Sequence, residues 1–223
     1  MTIEKHQIIS GVDFSVKRGE TLAIIGPNGA GKSVLFRAIL GLIPHSGTIT
    51  WEEKVKIGYV PQKLSIEKNF PLSVLEFLQF KGNKKDIKDA IESTGINSNI
   101  LNKKISDISG GELQRIMIAW ATIGNPDVLL FDEPLAGIDI GGEETIYNLI
   151  YNLNKKRGTT LLMISHDIGV MYKYADMVLC LNKKQMCLGS PKDVINEENE
   201  TKLYGNMSTF HGHSHEFSKH HNE

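Results

Sequence analysis

Four short runs along the chain are almost wholly apolar: TLAIIG (Thr21 to Gly26), DVLLFD (Asp127 to Asp132), TTLLMIS (Thr159 to Ser165) and MVLCLN (Met177 to Asn182). Runs this short and this continuous predict strands buried on both faces, as in a sheet covered by helices. Helical spacing alternates with them, the pattern of an α/β core. SVLFRAILGLI sets Leu35, Ala38, Ile39 and Leu42 on one face, and EETIYNLIYNLNKKRG does the same with Ile146, Leu149, Ile150 and Leu153. The latter pattern closes on Lys155, Lys156 and Arg157 before Gly158, cations and a stop where a helix C-terminus favours them.

Other segments break this rhythm. IISGVDFSV, TITW and KIGYVPQ are short and partly alternating, which predicts a β layer beside the main sheet. From about 64 to 121 the chain turns helical (VLEFLQF, KKDIKDAIEST, GELQRIMIAWA) and reads as a helical subdomain inserted in a body spanning 1–190. Residues 191–223 read as a short helix and a mobile tail rich in histidine.

Composition mainly excludes. Lys and Arg number 25 against 26 Asp and Glu, so no basic excess argues for nucleic acid. No apolar run approaches the roughly 20 residues that cross a bilayer, and MTIEKHQIIS lacks the apolar core of a secretion signal. The only cysteines, Cys180 and Cys187, are too sparse for a disulfide framework and suit a reducing compartment. Their apolar surroundings predict packing rather than metal ligation. The expectation is a soluble, cytoplasmic protein.

Chemistry enters at GPNGAGKS: Gly26, Pro27, Asn28, Gly29, Ala30, Gly31, Lys32 and Ser33. The stretch follows an apolar strand and opens a helix, the context in which such a loop binds phosphate. Glycines let backbone N–H groups turn toward phosphate oxygens, and the helix N-terminus adds partial positive charge. Lys32 would reach the β- and γ-phosphates, and Ser33 would hold Mg²⁺. The fold class is thus α/β, a P-loop NTPase core with a mainly parallel sheet, an N-terminal antiparallel β layer and the helical insertion. DVLLFDEP ends a buried strand with Asp132 and Glu133, at the sheet edge where ligands of α/β folds bind. Asp132 suits the metal side, and Glu133 suits polarising the attacking water. His166, ending TTLLMISHD, is placed to meet the γ-phosphate, and Gln62 ends KIGYVPQ. In ISGGELQRIMIAWA, Ser109 and Glu112 form a capping box, while Gly110 and Gly111 leave N–H groups bare. That is either a well-capped helix or a second anion site.

Together GPNGAGKS, Gln62, ISGGE, LLFDEP, AGID and ISHD stand in the order and spacing of the ATP-binding-cassette (ABC) ATPases, which the chain resembles over nearly its whole length. The resemblance implies ATP and Mg²⁺ as ligands and a head-to-tail dimer with a second copy of the chain. Ser109, Gly110 and Gly111 of each copy would then cap the ATP held by the other, with Asp139 relaying between sites. Gln62 would sense Mg²⁺ and the γ-phosphate, and the helical subdomain would dock on an integral membrane transporter subunit. Phe70, Leu72 and Leu75 are candidates for that docking, although a core stripe explains them better. The chain departs from the family at Ile3, where an aromatic usually stacks on adenine, leaving Ile3 or His6 as poor substitutes. The first family strand is absent or very short. Val34 replaces a common hydroxyl, Ile108 a leucine, and Glu112 a frequent glutamine.

Within the family, DEPLAGIDIGGEETIYNLI and MVLCLNKKQMCLGSPKDV look most like the ATPase subunits of zinc and manganese importers. That implies a divalent-metal importer with an extracytoplasmic metal-binding protein, its ATPase lying on the inner face of the cell membrane. His211, His213 and His215 in the tail would suit Zn²⁺ better than Mn²⁺. The alternative is an ABC ATPase serving another substrate or a soluble assembly role.

Overall fold

The computed structural model describes residues 2–3, 6–62, 64, 66–67, 69–134, 140–165 and 168–204. In chain order its strands are β1 (Thr2–Ile3), β2 (His6–Gln7), β3 (Thr21–Ile25), β4 (Ile57–Val60), β5 (Val128–Asp132), β6 (Thr160–Ile164), β7 (Met177–Leu181) and β8 (Gln185–Gly189). The helices are α1 (Lys32–Ile39), α2 (Val74–Gln79), α3 (Lys84–Thr94), α4 (Gly110–Thr122), α5 (Ile140–Arg157), α6 (Ile168–Tyr174), α7 (Pro191–Val194) and α8 (Glu197–Tyr204). Six strands form one sheet in the order β4-β5-β6-β3-β7-β8, parallel except for the antiparallel edge strand β8. All four apolar runs fall within it, and β3, β5 and β6 are buried at every position.

Two core layers sandwich the sheet. Leu22, Ile24, Leu130, Leu162 and Leu179 point to the side carrying α1, with Leu35 and Phe36. Ala23, Leu129, Phe131, Leu161 and Met163 point to the other, against Met117, Ile118, Ile146, Ile150 and Leu153. Each fully buried side chain of the size of Phe36 or Phe131 contributes about 2–3 kcal/mol of apolar burial. Ser73 and Ser109 each accept from the backbone of a glutamate three residues on, closing capping boxes that start α2 and α4. The inward faces of α2, α3 and α4 enclose a third cluster, with Val74, Leu78, Ile87, Ile91, Ile105 and Ile116. Phe70 and Leu75 pack on that cluster, and the Leu72 carbonyl accepts from Ile105 N–H.

The expected β layer is corrected in two respects. KIGYVPQ is not beside the main sheet but in it, as edge strand β4 paired in parallel with β5. IISGVDFSV and TITW form no strands; Ser10 alone makes an isolated bridge, to Lys184. Val12, Phe14, Val16 and Ile49 pack on the α1-side cluster, so their alternation reports one buried face without a hydrogen-bonded ladder. The antiparallel N-terminal layer reduces to the two-residue strands β1 and β2. The side chains of Ile3 and His6 lie outside what is described. After β8 the chain still packs on the body, Val194 and Leu203 being buried. A further correction concerns the cysteines: Cys180 is buried as expected, but it is joined to Cys187 as a disulfide. No helix among the described residues is long and apolar enough to cross a membrane.

Candidate functional site

Parallel strands deliver their carboxyl ends to one edge of the sheet. There β3 runs into the loop 26–31 that opens α1, β5 ends on Asp132 and Glu133, and β4 is followed by Gln62. Two backbone devices shape this edge. Gly26 holds φ 152°, and a Cβ placed there would lie 1.9 Å from the Leu181 carbonyl oxygen. Glu133 holds φ 48°, a left-handed conformation that costs a non-glycine residue about 1–3 kcal/mol and gathers at functional sites. Its N–H donates to the Ile164 carbonyl across the strand pair, so the surrounding sheet holds the turn in place.

The side chains meet at this edge. Ser33 Oγ donates to Asp132 Oδ1 at 3.1 Å, bringing two hard oxygen donors together at the start of α1. That donor pair suits Mg²⁺, which favours carboxylate and hydroxyl oxygen over nitrogen or sulfur. Lys32 Nζ donates to the Gly26 carbonyl at 2.7 Å and the Pro27 carbonyl at 3.2 Å, and pairs with Glu133 Oε1 at 3.8 Å. Gln62 Nε2 donates to Glu133 Oε2. One acid is thus tied to the hydroxyl, and its neighbour to the lysine and the glutamine.

Electrostatics fits a site waiting for charge. Burial pushes the Lys32 ammonium below its ordinary value, against the pull of Glu133 and Asp132. Burial likewise pushes Asp132 above the usual carboxylate range; the hydrogen bond from Ser33 opposes that and the charge of Glu133 adds to it. An arriving cation beside Asp132, or anion beside Lys32, reverses either cost.

One residue of this site carries no motif signal. Tyr59 on β4 donates its hydroxyl to Asp132 Oδ2 at 3.4 Å, so both oxygens of Asp132 are engaged. Burial first, and then the Asp132 charge, push the Tyr59 hydroxyl up to about 12. An unfolded tyrosine ionises near about 10, so above that pH the unfolded chain releases a proton that the folded chain keeps. Stability from this group is therefore whole below about 10 and falls as pH rises toward about 12. Tyr59→Phe is expected to remove that fall, followed by denaturant unfolding across the window.

Ser109, Gly110 and Gly111 sit apart, at the exposed start of α4. Among the described residues, an added Cβ at either glycine would meet nothing within 4 Å. His166, Asp139 and the tail residues His211, His213 and His215 lie outside the described residues. Among the described residues no three His, Cys, Asp or Glu side chains are placed to hold a metal ion.

A phosphate loop between a central parallel strand and a helix, with an acid pair at the end of a strand two places away in the same sheet, defines a P-loop NTPase of the α/β class. The family model described as ABC transporter matches residues 9–136. Among the relatives, the Zinc import ATP-binding protein ZnuC of Pseudomonas savastanoi pv. phaseolicola is 37% identical over 220 residues, 96% of this chain and 83% of that protein. The protein of the same name from Rhizobium johnstonii is 40% identical over 204 residues, 90% of this chain and 67% of that one. Among solved structures, a metal-chelate type ABC transporter in an inward-facing conformation superposes with a TM-score of 0.77 at 26% identity, over 86% of this chain and 82% of that one. A dimeric bacterial ABC transporter cassette superposes with a TM-score of 0.70 at 25% identity, over 82% of this chain and 90% of that one. The chain belongs to the ABC transporter family, and it is an ATP hydrolase of that family.

Proposed function

We propose that this chain is the ATP-hydrolysing subunit of a membrane importer for a divalent metal ion, with zinc favoured over manganese. The observation that carries the reading is the convergence of Lys32, Ser33, Asp132, Glu133 and Gln62 on one sheet edge, in a chain whose relatives are zinc import ATP-binding proteins. The proposed division is an ATPase body over 1–190 with its helical subdomain at about 64–121, followed by 191–223 with the histidine tail. The complex would include an integral membrane subunit and an extracytoplasmic metal-binding protein, with this chain on the inner face of the cell membrane. His211, His213 and His215 are proposed to hold zinc weakly near the transporter.

In this reading Gly26, Pro27, Asn28, Gly29, Ala30 and Gly31 wrap the phosphates of ATP, with Val34 following the loop. Lys32 exchanges the carbonyls of Gly26 and Pro27 for phosphate oxygens, which also ends the cost of its burial. Ser33 and Asp132, with Gln62, would hold Mg²⁺, which neutralises phosphate charge when bound. Glu133 accepts a proton from the attacking water, Gln62 orients that carboxylate, and His166 contacts the γ-phosphate. Because Gln62 stands where the sheet edge passes into the helical subdomain, its hold on Glu133 would couple hydrolysis to that subdomain.

The same reading places a second copy of the chain head to tail over the site, with Asp139 beside the shared interface. Supporting this, nothing among the described residues requires glycine at 110 or 111, which leaves that surface open to a partner. Gly110→Ala is expected to leave stability unchanged or raise it by about 0.5–1 kcal/mol, as alanine does within a helix. ATP hydrolysis should nevertheless fall at least tenfold, a combination measured by thermal unfolding and phosphate release on one preparation.

The transporter reading is tested by isolating the tagged chain from gently solubilised membranes. An integral membrane protein held in equimolar amount is the expected outcome. A chain recovered alone, hydrolysing ATP and sustaining its role without any membrane protein, would instead establish a soluble assembly role.

A further inference from the structure

Cys180 and Cys187 are the only cysteines of the chain. They are register partners across the antiparallel pair β7 and β8, with Cα atoms 4.9 Å apart and the sulfurs joined. Cys180 is fully buried, whereas Cys187 is partly exposed on the edge strand of the sheet. Cys187, which packs on the rim of the core cluster that encloses Cys180, is thus the more accessible of the two to a reagent from solvent.

What surrounds this pair ties it to the phosphate loop. On its other side Cys180 is the register partner of Ile25, the residue immediately before Gly26. The register of β7 and β8 shifts between Cys180 and Leu181, and the Leu181 carbonyl is the group that presses on Gly26. At the hairpin tip, Lys183 N–H donates to the Ala30 carbonyl at 3.0 Å, and the Lys183 carbonyl accepts from Ser10 N–H at 2.9 Å. The hairpin thus backs the loop at both ends, at Gly26 and at Ala30.

Oxidation state alters how β8 is tied to β7. The disulfide is a covalent cross-link between a strand pinned by β3 and the free edge strand that follows the hairpin tip. Reduction removes that tie and leaves the tip, with its hold on Ala30, to the hydrogen-bonded ladder alone. We propose that Cys180 and Cys187 form a reversible dithiol–disulfide site that sets how firmly the β7–β8 hairpin backs the phosphate loop, the disulfide form binding ATP more tightly. The proposal rests on the assignment of loop 26–31 as the ATP phosphate site and adds a control to it.

The oxidant named is a low-molecular-weight disulfide, RSSR. The Cys187 thiolate attacks one sulfur of RSSR, breaking its S–S bond and releasing one RSH after proton uptake. Cys180, giving up its proton, attacks the Cys187 sulfur of the mixed disulfide and releases the second RSH. Two protein thiols are oxidised and one RSSR is reduced to two RSH, so atoms and electrons balance.

The test equilibrates the full-length chain in reduced and oxidised glutathione at a series of ratios. Each sample is divided between intact mass measurement after thiol alkylation and titration with a fluorescent ATP analogue. The expected result is a single transition from two alkylated thiols to none, with affinity for the analogue rising at least about threefold over the same range. Cys187→Ser should keep the weaker affinity at every ratio. Two alkylatable thiols at every ratio would overturn the site, and oxidation without a change in affinity would overturn its link to the loop. Failure of every sample, including reduced wild type, to bind the analogue would overturn the phosphate-loop assignment and the control with it.

Discussion

Glu133→Gln is expected to lower ATP turnover by about two to four orders of magnitude, the contribution of a positioned general base. Nucleotide binding should stay close to that of the wild type. The amide keeps the shape of the side chain and can adopt the same φ of 48° that the sheet imposes, so the turn after β5 survives. What is lost is the proton acceptor, together with the charge facing Lys32 at 3.8 Å, while the amide oxygen can still accept from Gln62. A second effect has a definite sign. Glu133 is the larger of the two charges that hold the Lys32 ammonium up against its burial. Without it the Lys32 value drops further, so the pH above which nucleotide binding weakens should shift downward. Single-turnover hydrolysis and ATP-analogue titrations across pH check both effects. Turnover at the wild-type rate would assign the base elsewhere.

Gly26→Ala should be the most damaging single substitution in the loop. Its methyl would stand 1.9 Å from the Leu181 carbonyl oxygen and 3.3 Å from the Ala30 Cβ, at a φ of 152° that alanine resists. The carbonyl belongs to a central-sheet strand and cannot yield as a flexible side chain would. Strain and overpacking together are expected to cost about 2–5 kcal/mol, with ATP binding abolished because the loop must rebuild. Urea unfolding of wild type and variant measures the first, and an ATP-analogue titration the second. Stability within about 0.5 kcal/mol of the wild type, a typical surface substitution, would show that the loop is not pressed against β7.

The phosphate loop, the acid pair and the buried strands were legible because each couples a chemical motif to a strong apolar pattern. TLAIIG runs directly into GPNGAGKS, and DVLLFD into Glu133, so chemistry and strand end coincide. KIGYVPQ reads as a separate layer because it is short and partly alternating, with Gly58 and Tyr59 breaking its apolar run. Yet Gly58 is there to let α4 approach, since a Cβ would lie 2.3 Å from the Ala121 carbonyl. Tyr59 was missed for a related reason: a tyrosine in a strand normally reads as packing, and its hydroxyl acquires a partner only when β4 lies beside β5. The pairing of Cys180 with Cys187 had one available signal, their places separated by one and two residues from a polar Asn182–Lys183–Lys184 turn, which a single register shift makes opposite positions of a hairpin. Residues 8–16 show the converse error, because period-two burial against a neighbouring layer does not require a ladder.

The most direct measurement is the total metal content of cells carrying either the wild-type chain or Glu133→Gln, determined by mass spectrometry across the divalent metals. A selective fall in zinc in the variant, with the other metals unchanged, is the expected result for an ATPase that drives zinc import. A fall confined to manganese would keep the importer and change its cargo. Metal content identical in the two strains, with hydrolysis abolished in the variant, would contradict metal import as the work this ATPase performs.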